Sequence, residues 1–263
     1  MNHRLNKYVL AFFLSTLVVF FGCASTKVID EAEAKAGTEK EVVVLLHGLG
    51  RSNASMWLLA SRLESAGFHV ERVGYNSLDQ TPEEILNDIA GQIGRCCAAH
   101  KRSVHFVGHS LGGLMARAYL QNHRVENLGR VVLIGTPNNG SEFADYFQDS
   151  WLMGLVGPTA KVLGTGENSF PKSLAPPYYP VGVIAGVHEY GASESVIPGR
   201  DDGLVSVEAT RLEGMTDFII IETGHSMMRY NQQVASQTIA FLKNGKYERT
   251  GATGTDKDVS REK

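Results

Sequence analysis

The stretch Gly108-His109-Ser110-Leu111-Gly112-Gly113 constrains this chain more than any other. Strand formers precede it, Ser103-Val104-His105-Phe106-Val107. Leu111, Leu114, Met115, Ala118 and Tyr119 follow it, apolar positions at helical spacing. The serine therefore falls where a strand turns sharply into a helix. Glycine at 108 and 112 suits a turn too tight for side chains. Such a turn pushes the serine into the open and turns the unpaired N–H groups of a helix N-terminus toward any negative charge that develops beside it. A bare Gly-x-Ser-x-Gly also fits a serine that merely caps a helix. Between a strand and a helix it predicts an exposed nucleophile, Ser110.

Other segments supply the sheet that such a turn needs. Glu41-Val42-Val43-Val44-Leu45-Leu46 is apolar on both faces, as in a strand buried in a parallel sheet. Further strands are expected at 68–75, 131–134, 180–187 and 217–221, and helices at 53–66, 81–93 and 230–242. Thr81-Pro82-Glu83-Glu84 has the residues of a capped helix start. Strands and helices alternate, which predicts a doubly wound, mostly parallel α/β sheet of about six strands with helices on both faces. Residues 142–180 break the alternation and read as a small helical insert over the carboxyl ends of the strands, or as an excursion packed on the side. Of 263 residues, 43% are hydrophobic and 20% charged, enough for one large core at 41–243. A net charge of −3 gives no case for nucleic acid as a partner. The charged residues 244–263 read as a disordered tail.

The N-terminus reads as a signal. Arg4 and Lys7 precede an apolar run from Tyr8 to Gly22, short for a bilayer span. Phe20-Phe21-Gly22-Cys23 resembles the bacterial lipobox, which implies a signal peptide at 1–22, lipidation of Cys23 and a tether at 23–40. Ala24 in place of aspartate implies the outer membrane of a bacterial envelope. An ordinary cleavable signal, leaving a periplasmic or secreted protein, and an uncleaved anchor fit the same residues. Cys96 and Cys97 remain as an adjacent pair. Neighbouring cysteines bridge only with backbone distortion, so packing at a helix end is expected, with a reactive thiol as the other reading. No zinc-type spacing occurs.

A serine needs a base, and the base needs a group to orient it. Of the histidines beyond Ser110, His123 falls on the helix behind it and His188 precedes the best acid. His225, in Glu222-Thr223-Gly224-His225-Ser226, follows the last strand at its carboxyl end. Arg200-Asp201-Asp202-Gly203 offers two candidate carboxylates, although Asp-Gly is also a common turn pair. Asp145 and Asp217 are weaker. Backbone N–H groups of Leu49 and Leu111 are the candidates for an oxyanion hole.

Four motifs in order, His47-Gly48-Leu49-Gly50, Gly108-His109-Ser110-Leu111-Gly112-Gly113, Gly135-Thr136-Pro137-Asn138-Asn139-Gly140-Ser141 and Asp202-Gly203-Leu204-Val205, resemble the bacterial triacylglycerol lipases and esterases of the α/β-hydrolase superfamily. The resemblance covers about residues 41–243. It implies a triad of Ser110, Asp202 and His225, with Asp202 preferred to Asp201, and an oxyanion hole at Leu49 and Leu111. Met227 stands where much of that family carries a calcium-binding aspartate, so no metal or cofactor is implied, and the family's disulfide has no counterpart. The expected function is an exported serine hydrolase acting on lipid or small-molecule esters with apolar acyl chains, anchored to the membrane by its N-terminal lipid. The same triad serves a phospholipase, thioesterase, amidase or acyltransferase. A non-catalytic envelope lipoprotein is the rival from another class.

Overall fold

Alternate side chains of β1 (Val42–Leu46) enter two different cores: Val42, Val44 and Leu46 one, Val43 and Leu45 the other. A strand apolar on both faces must be covered on both. In the computed structural model, which describes residues 39–98, 100–147, 157–188 and 196–249, β1 lies inside a six-stranded, all-parallel sheet. Its other strands are β2 (His69–Val73), β3 (Val104–His109), β4 (Leu128–Ile134), β5 (Val181–Val187) and β6 (Asp217–Glu222). The spatial order is β2-β1-β3-β4-β5-β6. The chain separates into residues 1–40 and 41–263, and the fold is that of the second unit.

The helices in chain order are α1 (Trp57–Ser65), α2 (Pro82–Cys97), α3 (Leu111–Asn122), α4 (Glu142–Phe147), α5 (Gly157–Ala160), α6 (Val207–Thr210) and α7 (Gln232–Asn244). Ile85, Ile89 and Ile93 of α2 and Leu114 and Met115 of α3 cover the face of Val42 and Val44. Leu59 and Leu63 of α1 and Val234 and Phe241 of α7 cover the opposite face. The doubly wound expectation therefore holds. The start of α2 is the expected capping box: the Glu84 N–H donates to the Thr81 hydroxyl at 3.3 Å, and the Thr81 N–H donates back to the Glu84 carboxylate at 2.8 Å. The strand order reverses direction between β1 and β3, so the loops leaving their carboxyl ends diverge and open a crevice there.

Three expectations need revision. The helix expected over 53–66 begins as a 3₁₀ turn, Asn53–Met56, before α1. Cys96 and Cys97 are not free thiols: a disulfide joins them at the end of α2. Their Cα atoms are 3.7 Å apart, the spacing of consecutive residues, so the chain itself brings the sulfurs together and no distant partner is needed. The expected packing role is met by Cys97, which is buried. The tail expected from residue 244 onward is ordered at least through Arg249. Tyr247 packs on Phe241 and its N–H donates to Asp217 at 2.7 Å, while Arg249 forms an ion pair with the same carboxylate at 2.6 Å. A buried aromatic and a shared acceptor hold a segment whose composition is that of a solvated tail. The described parts of 142–180 go two ways. Phe143 and Ala144 line a cavity above the sheet, and Leu174 and Tyr179 enter the core. The expected signal at 1–22, Cys23 and residues 148–156 of the stretch lie outside the described residues.

Candidate active site

Ser110 has φ 55° and ψ −124°, and among the described residues it is the one non-glycine with positive φ. Such a conformation costs roughly 1–3 kcal/mol and persists only where its surroundings impose it. Here they do so by close approach. A Cβ at Gly112 would lie 2.4 Å from the Leu46 carbonyl oxygen, and one at Gly113 would lie 2.0 Å from Thr136 Oγ1. The first turn of α3 is thus pressed between the end of β1 and the loop after β4. The Ser110 N–H donates to the Ile134 carbonyl at 2.8 Å, tying the end of β3 to β4.

His225 opens a 3₁₀ turn, His225–Tyr230, after β6. The far end of that turn is held by Arg62 of α1, whose guanidinium donates to the Tyr230 and Asn231 carbonyls at 2.9 and 3.0 Å. The His225 ring meets Asp202 Oδ2 through Nδ1 at 2.7 Å and Ser110 Oγ through Nε2 at 3.0 Å. A carboxylate can only accept, so Nδ1 carries the proton and Nε2 is left to accept from the serine hydroxyl. The other carboxylate oxygen of Asp202 accepts the N–H groups of Leu204 and Val205 at 3.0 and 2.9 Å. The Asp202 carbonyl accepts the His225 N–H at 2.8 Å, so backbone and side chain both couple the two residues.

Asp201 faces elsewhere. Its side chain accepts the Gly203 N–H at 2.7 Å and its carbonyl accepts the His188 N–H at 2.8 Å. Of the adjacent aspartates only Asp202 reaches the imidazole. His123 bonds the Tyr119 carbonyl within its own helix, Asp145 binds Thr165, and Asp217 serves the C-terminal segment. The structure thus gathers Ser110, His225 and Asp202 and leaves the weaker candidates apart.

Two further histidines shape the site, and only one had drawn notice in the sequence. His47 is stacked on Tyr75 at 4.0 Å, and the Tyr75 hydroxyl donates to the His47 carbonyl. Its Nδ1 donates to the Gly48 carbonyl at 3.0 Å, and the Gly50 N–H is held by Ser77 at 2.9 Å. These bonds fix the loop that carries Leu49 to the cavity. Burial lowers the pKa of His47, which keeps the ring neutral. Leu111 opens α3, so its N–H is among the four that have no partner inside the helix. His109, a middle position of the motif, is fully enclosed. Its Nε2 donates to the His225 carbonyl at 2.9 Å, and its ring lies 4.9 Å from that of His225. Burial, and then the neighbouring His225, hold its pKa well below the ordinary histidine range. A second unanticipated residue is Arg117 of α3. It is buried, and its guanidinium donates to Asn138 Oδ1 and the Leu174 carbonyl at 3.0 Å each, pinning the loop after β4 to the insert. Burial lowers its pKa to about 10. No local pattern marks such a residue, because its partners come from distant segments.

Ser110 and His225 open on a cavity of about 560 Å³, walled mainly by apolar groups including Leu49, Phe143, Leu163 and Val205. That size and lining suit a small organic ligand with an apolar part. Among the described residues no group of three or more histidine, cysteine, aspartate or glutamate side chains is arranged to hold a metal.

Comparison with known proteins agrees with this architecture. Residues 42–165 match the family model described as palmitoyl protein thioesterase. Triacylglycerol lipases of Pseudarthrobacter phenanthrenivorans and Burkholderia plantarii are each 31% identical over 138 residues, which are 49% of this chain but 43% and 38% of theirs. The match thus spans less than half the length of these curated relatives. The mature lipase of Bacillus licheniformis superposes with a TM-score of 0.57 at 21% identity, over 71% of this chain and 85% of that one. A phospholipase of Legionella pneumophila gives 0.61 at 15% identity, over 79% and 60%. The chain has the α/β-hydrolase fold and resembles bacterial lipases and esterases in sequence.

Proposed function

We propose that this protein hydrolyses carboxylic esters with apolar acyl chains, with Ser110 as nucleophile, His225 as general base and acid, and Asp202 as the group that orients the imidazole. The observation that carries the reading is the continuous hydrogen-bond chain from Asp202 through His225 to Ser110, at the mouth of an apolar cavity. Ser110 Oγ attacks the ester carbonyl as His225 Nε2 takes its proton. The carbonyl oxygen becomes an oxyanion facing the N–H groups of Leu49 and Leu111. The carbon–oxygen bond to the alcohol then breaks, and His225 returns the proton to the departing oxygen. Water repeats the sequence on the acyl-enzyme and restores the serine. The test is labelling by a fluorophosphonate probe together with turnover of chromogenic esters of rising chain length. Ser110→Ala should abolish both, and persistence of either would refute the assignment.

A second reading has its own support, the match to palmitoyl protein thioesterases over residues 42–165. A thioester presents the same carbonyl and a better leaving group, so the same residues serve. Matched acyl thioesters and oxygen esters decide between the two readings by their kcat/KM values.

We also infer export, with Cys23 carrying lipid at a bacterial envelope membrane. The support is the charged, apolar and cysteine-ending N-terminal sequence, together with the Cys96–Cys97 disulfide, a bond that persists in oxidising compartments. Mass spectrometry of the mature N-terminus tests it. A chain that begins before Cys23, or lacks the lipid, would overturn it.

A further inference from the structure

Two arginines, Arg51 and Arg229, line the same cavity as Ser110 and His225, and no aspartate or glutamate lines it among the described residues. Arg229 is only 7% exposed. Its Nε is buried with no hydrogen-bond partner, and its guanidinium carbon rests 4.7 Å from the centre of the Tyr230 ring. Among the described residues neither arginine forms an ion pair with a carboxylate. Arg117 shows what this chain does with a buried arginine that serves only the fold: its Nε also lacks a partner, but both of its Nη atoms donate to carbonyl and amide oxygens. Arg229 has no such set. Its charged end thus borders the cavity with neither an anion nor acceptor oxygens from the described residues, and an anionic group entering there would supply both.

The positions of the two arginines say which part of a ligand they meet. Arg229 lies on the 3₁₀ turn that begins with His225. His225 must hand its proton to the leaving group, so the leaving group rests against that turn. Arg51 stands just beyond Leu49, on the loop after β1, and lines the same cavity. Both charges are felt at His109, the residue that bonds the His225 carbonyl. The apolar wall of Phe143, Ala144 and Leu163 remains for the acyl chain.

From this we infer that the site takes an ester or thioester whose alcohol or thiol part carries a phosphate, held by Arg51 and Arg229 on the cavity wall that receives the leaving group. Guanidinium forks match phosphate oxygens in pairs. The inference rests on the ester-hydrolase reading and narrows it. The phosphate could belong to a phospholipid headgroup or to a phosphorylated carrier thiol, and the recognition chemistry is shared.

Two matched pairs of substrates test it: monooctanoyl glycerol phosphate against monooctanoyl glycerol, and octanoyl-coenzyme A against octanoyl-N-acetylcysteamine. In at least one pair the phosphate-bearing member should have a kcat/KM about tenfold or more above its neutral twin. The pair that shows it identifies the source. Arg51→Gln and Arg229→Gln should each lower that ratio by about tenfold, and Arg229→Lys should recover part of it. Because both members are measured on one protein preparation, the ratio cancels any loss of folded enzyme, and the exposed Arg51 guards against a fold defect at Arg229. Ratios near one in both pairs, or ratios untouched by the arginine variants, would overturn the phosphate site while leaving ester hydrolysis intact. Turnover of none of the four substrates would overturn the ester-hydrolase reading as well.

Discussion

The turn after β3 and the loop that follows β5 each bring one polar side chain to the same point, and different forces hold them. At the first, Ser110 is fixed by exclusion: Gly112 and Gly113 let the backbone of α3 press against Leu46 and Thr136 at distances that admit no Cβ. At the second, Asp202 is fixed by attraction. The N–H groups of Leu204 and Val205, the N–H of His225 and the His225 ring all bond this one residue. Gly203 sits in that loop at φ +96° with nothing within 4 Å of a would-be Cβ. One region is defined by what cannot fit, the other by what must be satisfied.

Several substitutions would break or sharpen this contrast. The largest effect is expected at the hydrogen-bonded loop. Asp202→Asn keeps the shape but presents an N–H to His225 Nδ1 and so disfavours the working tautomer, lowering kcat about 10⁴-fold. Asp201→Asn, one residue away, should cost less than about tenfold, because its carboxylate braces the Gly203 N–H while Asp202 holds the His225 ring. Equal losses in steady-state turnover of a soluble ester would dissolve the distinction between the two aspartates.

At the sterically defined turn the expected loss is of folding. Gly113→Ala should destabilise by about 3 kcal/mol, the upper range for an overpacked core, seen as a lower urea midpoint. An unchanged midpoint would mean that α3 is not wedged as described.

Histidine burial gives the next effect. His47 and His109 have pKa values lowered by burial from 6.5, so the unfolded chain binds their protons first. Stability is then complete above about pH 6.5 and falls as the pH drops below it, by up to about 1.4 kcal/mol per pH unit for each ring. Unfolding followed from pH 7.5 to 5 reads this slope, and His109→Gln should flatten it. A profile identical to that of the parent chain would show that His109 is not neutral in the fold.

The smallest effect belongs to Gly203→Ala. With open space around it, only the left-handed backbone is penalised, at about 1 kcal/mol by the same urea measurement. A cost as large as that of Gly113→Ala would put both regions under one rule.

How far the sequence could be read follows the same divide. The six strands and the turn at Ser110 were legible because alternation of apolar residues and a glycine on either side of a serine are local patterns with one steric meaning. The choice of Asp202 over Asp201 leaned on resemblance. Both precede the same glycine, and only the approach of His225 separates them. Arg117 and the packing of Tyr247 and Arg249 left no trace that composition could register. Apart from Phe241, close to Tyr247 in sequence, their partners are residues 138, 174 and 217, far away in the chain. The Cys96–Cys97 bond went unforeseen for the opposite reason: its partners are adjacent, a pairing that ordinary disulfide spacing disfavours.

By itself the chain of residues determined a wound parallel sheet with a serine thrust out at one strand end, because those features depend on periods of two and 3.6 residues and on the volume of a single methyl group. Tertiary structure decided which carboxylate faces the imidazole, which arginine meets acceptor oxygens and which borders the cavity, and how Tyr247 and Arg249 are held. Each of those outcomes depends on hydrogen-bond directions between segments that meet only once the sheet has formed.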